Sequence, residues 1–335
     1  MVGNILNADF PSFRGRRIRK SKWIRELTCE NELKVNDLVL PIFLRDDSDF
    51  DEYVSKMPGV KRFALHQLIK ELQEVEKLGI KAIALFPKVN QSLKTNDARE
   101  SFNPNNLVCK ALKLIRKEFP KLGVICDIAL DAYTLSGHDG LLDENNLIDN
   151  DKTIKTLAKM ALNFSESGCE IIAPSDMMDG RIKLIRDLLE QKNHNDICII
   201  SYSAKFCSQF YGPFRNALGT EKNLGTSSKE TYQLNYKNRL DAIRNVAQDI
   251  KEGSDIIMVK PAGYYLDIVR EIKNQINLPL ASFQVSGEFS MIKLASENGI
   301  LNYEKSVLES LNCIKRSGAN FIFSYFAKDA AKWLS

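Results

Sequence analysis

Two lysines stand where lysine is seldom found. Lys260 follows the apolar run DIIMV (255–259) and precedes Pro261, and Lys205 follows IISYSA (199–204). An ammonium is rarely held beside apolar strands unless it is paired or reactive, because burial strips its hydration. If both lysines open into one place, their charges repel and at least one gives up its proton more readily. A neutral amine near pH 7 is the reagent that attacks a ketone to form a Schiff base. Moving a lysine from ~10.4 to ~7 corresponds to roughly 4–5 kcal/mol, which burial plus a like charge can supply. The plainer reading makes each lysine a solvated strand-end residue, or an ion-pair partner of Asp127 or Asp176. What favours the reactive reading for the pair is that barrel strands converge at one mouth.

The elements that must position these lysines repeat along the chain. Apolar or β-branched runs occur at 38–44, 82–87, 123–130, 170–176, 198–203, 255–261, 280–286 and 321–326, each bounded by turn residues. Near-continuous apolarity marks strands buried on both faces, as in a parallel sheet covered by helices. Amphipathic stretches lie between them. The segment 66–78 puts Leu68, Leu72, Val75 and Leu78 on one face, and 151–167, 179–191, 237–252 and 304–316 behave alike. Asp151 and Asp179 stand where helix N-caps are favoured. Strands alternating with helices predict an α/β fold, first a closed (β/α)8 TIM barrel and second an open doubly wound sheet. No G-x-G-x-x-G follows the first strand and no Walker loop is present, which weakens nucleotide binding.

Barrel enzymes carry their chemistry at the carboxyl ends of the strands. Those ends deliver Asp127 and Asp131, then Pro174, Ser175 and Asp176, then Ser203 and Lys205, then Lys260, Ser286 and Tyr325. Two segments break the alternation. The first is an extended N-terminal arm over 1–33, basic from Arg14 to Arg25, ahead of a catalytic barrel over 34–335. The second runs over about 204–233, rich in Gly, Ser, Asn and Lys, and its length predicts an active-site lid.

Composition excludes several classes. With 44% hydrophobic and 27% charged residues the chain is ordinary globular material, and a formal charge of +4 is too small for a dedicated nucleic-acid protein. No apolar stretch is long enough to span a bilayer, and the first residues lack the apolar block of a secretory signal. Cys29, Cys109, Cys126, Cys169, Cys198, Cys207 and Cys313 form no C-x-x-C pair, so the expectation is structural thiols in a reduced cytoplasm.

Several strings at the strand ends resemble the delta-aminolevulinic acid dehydratase (porphobilinogen synthase) family. They are CDIALDAYTLSGHDG (126–140), APSDMMDGR (173–181), SYSAKFCSQFYGPFR (201–215), MVKP (258–261) and VSGEF (285–289), joined by SKMPGV (55–60), TYQ (231–233) and the basic arm. The resemblance runs from about Arg14 to the C-terminus. It implies a (β/α)8 barrel whose arm clasps a neighbour, commonly in a homo-octamer built from dimers. It also implies a lyase that condenses two 5-aminolevulinates to porphobilinogen with loss of two waters, an early step towards haem. By the resemblance, Lys260 would form a Schiff base with one substrate, whose carboxylate Ser286 and Tyr325 would hold. Lys205 would form the second Schiff base, with Arg215 and Lys229 gripping that substrate's carboxylate and closing the lid over it. Arginine suits a planar carboxylate through paired donors, whereas Lys229 offers a point charge. Asp127 is a candidate for proton transfer or for orienting an amine, and pairing with Lys205 or Lys260 is an equal alternative. Tyr211 and Gln233 would shape the pocket or simply pack the loop.

Metal use is where the chain departs from part of that family. Zinc-using members carry three cysteines at positions matching Ala129, Asp131 and Asp139, and Ala129 offers no ligand, so a three-cysteine zinc site is not expected. Asp131 and Asp139 are hard oxygen ligands suited to Mg2+ or a monovalent ion. His138 is expected to hydrogen-bond within its loop. Magnesium-activated members carry a glutamate for an allosteric ion where Asn245 stands, which removes the charge that ion needs. No organic cofactor is expected, and the metal state is either Mg2+ or none. The rival readings are another Schiff-base barrel, such as a class I aldolase or keto-acid lyase, which needs one lysine; a nucleic-acid binder using RGRRIRKSKWIR (14–25); and a barrel that has lost catalysis.

Overall fold

The structure is a computed structural model describing residues 9–46, 50–224 and 228–334. Its strands are β1 (Leu38–Arg45), β2 (Glu52–Tyr53), β3 (Lys61–Ala64), β4 (Ala82–Lys88), β5 (Gly123–Ile128), β6 (Ile171–Pro174), β7 (Cys198–Lys205), β8 (Ile256–Lys260), β9 (Leu280–Gln284) and β10 (Phe321–Ser324). β1 and β4 to β10 pair in sequence order, all parallel, and β10 returns to β1. The sheet is therefore closed: an eight-stranded α/β barrel, with the doubly wound alternative excluded. The runs are apolar on both faces because one face fills the barrel and the other lies under helices. All residues of β1 but the last are buried, as are all of β9.

Helices alternate with the strands. The helix Leu65–Lys77 buries Leu68, Leu72 and Val75, the stripe read from the sequence. Asn150–Glu166, Arg181–Gln191, Arg239–Lys251 and Tyr303–Ser317 fall close to their predicted bounds. Leu107–Glu118, Leu266–Gln275, Ser286–Glu297 and Ala327–Leu334 complete the cover. Two expected caps are corrected. Asp149, not Asp151, accepts from the Lys152 amide, and the helix expected to start at Asp179 begins after Gly180 in the left-handed region (φ 75°). The predicted final strands also end early: Ser286 opens a helix, and Tyr325 follows β10 in a turn.

β2 and β3 form an addition the periodicity did not reveal. They pair antiparallel with each other, and β3 pairs with β1, where Arg62 lies opposite Phe43. The segment predicted as an irregular lid is partly helical. It has a short turn at Gln209–Tyr211, a helix at Gly212–Leu218 with Pro213 in its first turn, and another at Glu221–Leu224. The described chain forms two compact units, one ending at Glu32 and the other beginning at Leu33. Within the first, Gly15–Arg19 and Lys22–Leu27 are short helices with no buried residue. Among the described residues, no helix is long and apolar enough to cross a membrane.

Candidate active site

β7 and β8 lie side by side with Lys205 and Lys260 as register partners, each the last residue of its strand. Both are buried, and both line one cavity at the barrel mouth with Asp127, Asp131, Asp139, Tyr211, Arg215, Lys229 and Gln233. With Ser175, the structure thus gathers ten of the residues singled out from sequence, and Phe214 joins them.

Lys260 sits in an aromatic shell. Its Nζ lies 4.4 Å from the ring centre of Phe283, 4.9 Å from Phe214, 5.1 Å from Tyr202 and 5.4 Å from Tyr211. Ring faces replace water poorly for an ammonium, so burial lowers this amine to about 7. The nearby Lys205 charge adds to the drop, and Asp127 opposes it. The Tyr211 hydroxyl donates to the Lys260 carbonyl at 3.1 Å, tying the lid to the end of β8. Asp127 is buried too. Desolvation pushes its carboxyl up to about 6 against the pull of Lys260 and Lys205, and its Oδ1 has no hydrogen-bond partner among the described residues.

Lys205 has polar company instead. Its Nζ donates to the Ser175 carbonyl and lies 3.6 Å from Asp139 Oδ2. This corrects the expected ion-pair partners: the carboxylate at Lys205 is Asp139, neither Asp127 nor Asp176. Asp176 lies 3.5 Å from Arg181 Nε, and burial raises it to about 7 in spite of that guanidinium. Lys229 Nζ bridges Asp131 Oδ2 at 3.2 Å and Asp139 Oδ1 at 3.1 Å, and Gln233 donates to Asp139 Oδ2 at 3.3 Å. Burial alone would raise Asp139, but the Lys205 and Lys229 ammonium groups outweigh it and hold the acid at about 2. His138 reaches beyond its own loop, with Nδ1 3.0 Å from the Tyr232 hydroxyl. Within its own loop His138 also bonds as expected, its amide donating to Ser136 Oγ at 3.3 Å and its carbonyl accepting from Thr134 Oγ1 at 3.0 Å.

Ser286 and Tyr325 are not brought into this cavity. Ser286 Oγ accepts from the Phe214 amide at 3.0 Å and faces the Phe210 carbonyl at 3.3 Å, behind the lid helix. The Tyr325 ring stacks on Phe43 at 5.8 Å, and its buried hydroxyl has no partner among the described residues. The sequence reading missed Phe214, Tyr202 and Phe283, because aromatics in apolar runs look the same as core. It also missed the carbonyl of Ser175, which no residue type signals.

A closed parallel barrel with two buried, adjacent lysines at its mouth, one of them lowered to about 7, is the arrangement an amine nucleophile needs and puts the fold among the α/β-barrel enzymes. Comparison with known proteins narrows the class. A sequence model of delta-aminolevulinic acid dehydratase matches residues 12–333. The delta-aminolevulinic acid dehydratase of Bradyrhizobium diazoefficiens is 47% identical over 323 residues, 96% of this chain and 91% of that one. That of Methanothermus sociabilis is 44% identical over 96% of this chain and 98% of its own. The crystal structure of the Toxoplasma gondii enzyme, in complex with its reaction product porphobilinogen, superposes with a TM-score of 0.94. It has 41% identity and covers 96% of this chain and 91% of that one. The chain belongs to the delta-aminolevulinic acid dehydratase family.

Proposed function

We propose that this protein is a porphobilinogen synthase, a hydro-lyase that condenses two 5-aminolevulinates into porphobilinogen with loss of two waters. The observation that carries the reading is the register of Lys205 and Lys260 at one cavity. Lys260, with its pKa lowered to about 7, is the nucleophile that is neutral at the working pH. It attacks the ketone of one substrate, expelling water as the imine forms. The iminium withdraws electrons and eases loss of a proton from the adjacent carbon, the step that makes a carbon–carbon bond feasible. Asp127, raised to about 6 and without a partner at Oδ1, is the group we assign to move that proton. Lys205 takes the ketone of the second substrate, whose carboxylate Arg215 grips. Lys229 presents its ammonium to that carboxylate while still held by Asp131 and Asp139.

The unpartnered Tyr325 hydroxyl supports a role in holding the first substrate's carboxylate, with Ser286 released from Phe214 to join it. Tyr211 and Gln233 hold the lid side of the cavity. The aldolase alternative uses one lysine and leaves the second buried amine without a task.

The residues at the matching metal position do not fit a divalent ion. Ala129 has no donor, and the Lys229 ammonium lies between Asp131 and Asp139, where a cation would be held. We propose catalysis without a metal, with activity unchanged after exhaustive chelation; loss with EDTA restored by Mg2+ alone would overturn this. Asn245 carries no charge for an allosteric ion. We further propose a cytoplasmic homo-octamer assembled through the arm, whose Phe10, Trp23 and Leu27 are exposed apolar side chains. Neither nucleic acid nor membrane is a partner in this reading. The test is direct: purified protein given 5-aminolevulinate should yield porphobilinogen, and borohydride with labelled substrate should mark Lys260. Absence of both product and label would sink the proposal.

A further inference from the structure

Arg62 lies on β3, outside the barrel strands and outside the cavity, yet it is only 5% exposed. A buried guanidinium must find partners for its donors, and these partners are specific. Nη1 donates to Glu52 Oε2 at 2.7 Å, Nε to the Ala217 carbonyl at 2.6 Å, and Nη2 to the Asn216 carbonyl at 2.7 Å. Ala217 and Asn216 belong to the last turn of the lid helix Gly212–Leu218. The Ala217 carbonyl lies where a helix runs out of amides, the Asn216 carbonyl has only the Gly219 amide at 3.1 Å, and both carry the negative end of the helix dipole. The Arg62 guanidinium caps them.

The anchor is itself fixed to the barrel. Arg62 is in register with Phe43 of β1 and with Glu52 of β2. Glu52 Oε2 also lies 3.2 Å from Arg45 Nη1 and 3.4 Å from Lys88 Nζ, so one carboxylate collects cations from β1, β3 and β4. Ser55 adds a bond from Oγ to Asn216 Oδ1 at 3.1 Å. The two residues just before the anchored carbonyls are Phe214 and Arg215, both on the cavity wall. The front of the same helix is held by the Phe214 amide on Ser286. Arg215 is therefore set by attachments on both sides before substrate binds, and the rear one, supplied by the β2–β3 pair, is the one that stays when Ser286 turns to the substrate.

We propose that Arg62, backed by Glu52, is a positioning residue for substrate binding: it holds the lid helix by its C-terminal carbonyls so that Arg215 meets the substrate carboxylate. This rests on the assignment of Arg215 made above. A lysine cannot replace it, because only the guanidinium fork reaches two carbonyls and a carboxylate together.

The test is a double-mutant cycle read alongside amide exchange. Arg62→Ala should raise KM for 5-aminolevulinate about tenfold while kcat changes much less, since a misplaced binding group costs affinity first. In an Arg215→Met background the same change should alter KM by less than about twofold, because the residue it acts through is gone. Guanidinium ion added to Arg62→Ala should restore part of the lost affinity. Amides over residues 212–220 should lose protection in Arg62→Ala, with the barrel strands unchanged. Should Arg62→Ala fail to fold, Arg62→Lys keeps the charge beside Glu52, lacks the fork, and is carried through the same cycle. An equal KM effect with and without Arg215, or unaltered exchange over 212–220, would overturn the proposal. If the wild-type protein makes no porphobilinogen, the functional reading fails, while the exchange comparison still decides whether Arg62 holds the helix.

Discussion

Lys205 and Lys260 occupy matching places on neighbouring strands, yet their surroundings are opposites. Around Lys260 are four aromatic rings within 5.4 Å. Around Lys205 are a main-chain carbonyl and a carboxylate that is itself shared with Lys229. The same residue type is thereby given two characters. An apolar shell disfavours the ammonium and prepares a nucleophile; the amine of Lys205 instead has a carbonyl and a carboxylate as polar neighbours. The difference teaches that two copies of one residue type can be given different chemistry without any difference in the side chains themselves. It can be written into what packs against them.

The most severe way to break this comparison is to remove each amine. Lys260→Met should lower turnover by at least about ten-thousandfold and abolish borohydride trapping. It should also stabilise the fold. Lys260 titrates at about 7 in the folded protein against 10.5 for a free lysine, so its burial costs stability increasingly as pH falls through that window. Removing the amine should raise the thermal midpoint measured at pH 7 by roughly 5 °C or more. A lowered midpoint would mean the aromatic shell is not the hostile site described. Lys205→Met should lose about a thousandfold in turnover but still trap one substrate on Lys260. Retained turnover in that variant would favour the single-lysine aldolase.

Subtler changes sharpen the contrast. Activity should fall as pH drops below about 7, because protonation of Lys260 removes the nucleophile. Asp127→Asn should cost about a hundredfold in turnover as the proton-transfer group is lost. Because it also takes away a charge that raises Lys260, the acid limb of the remaining kcat/KM profile should move down by about one unit. A limb that does not move would separate Asp127 from the nucleophile. Phe214→Leu opens the shell to water and should move the same limb up by about half a unit, with little loss at pH 8.

The outline of the barrel was legible because a strand buried on both faces must be apolar along its length, and a covering helix must carry a stripe. Leu68, Leu72 and Val75 are where that rule puts them. β2 and β3 were not legible: Glu52–Tyr53 is too short to show a period, and Lys61–Ala64 is half polar. The lid helix was hidden for a related reason. A seven-residue helix beginning Gly-Pro has no stripe to read, and its stability comes from Arg62 and Ser286, which are distant in the chain.

From the sequence it follows that lysines end two apolar strands, that Ala129, Asp131 and Asp139 stand where zinc-using relatives carry cysteines, and that carboxylates crowd the turn after β5. Tertiary structure decided the rest. Only the pairing of β7 with β8 makes Lys205 and Lys260 register partners, and only packing assigns one of them to aromatic rings and the other to Asp139. Lys229 is the clearest case: its charge is written in the chain, but its place between Asp131 and Asp139 depends on how the segment after β7 folds back to the turn after β5. Charge is a property of a residue; what that charge can do is set by the neighbours that replace its water.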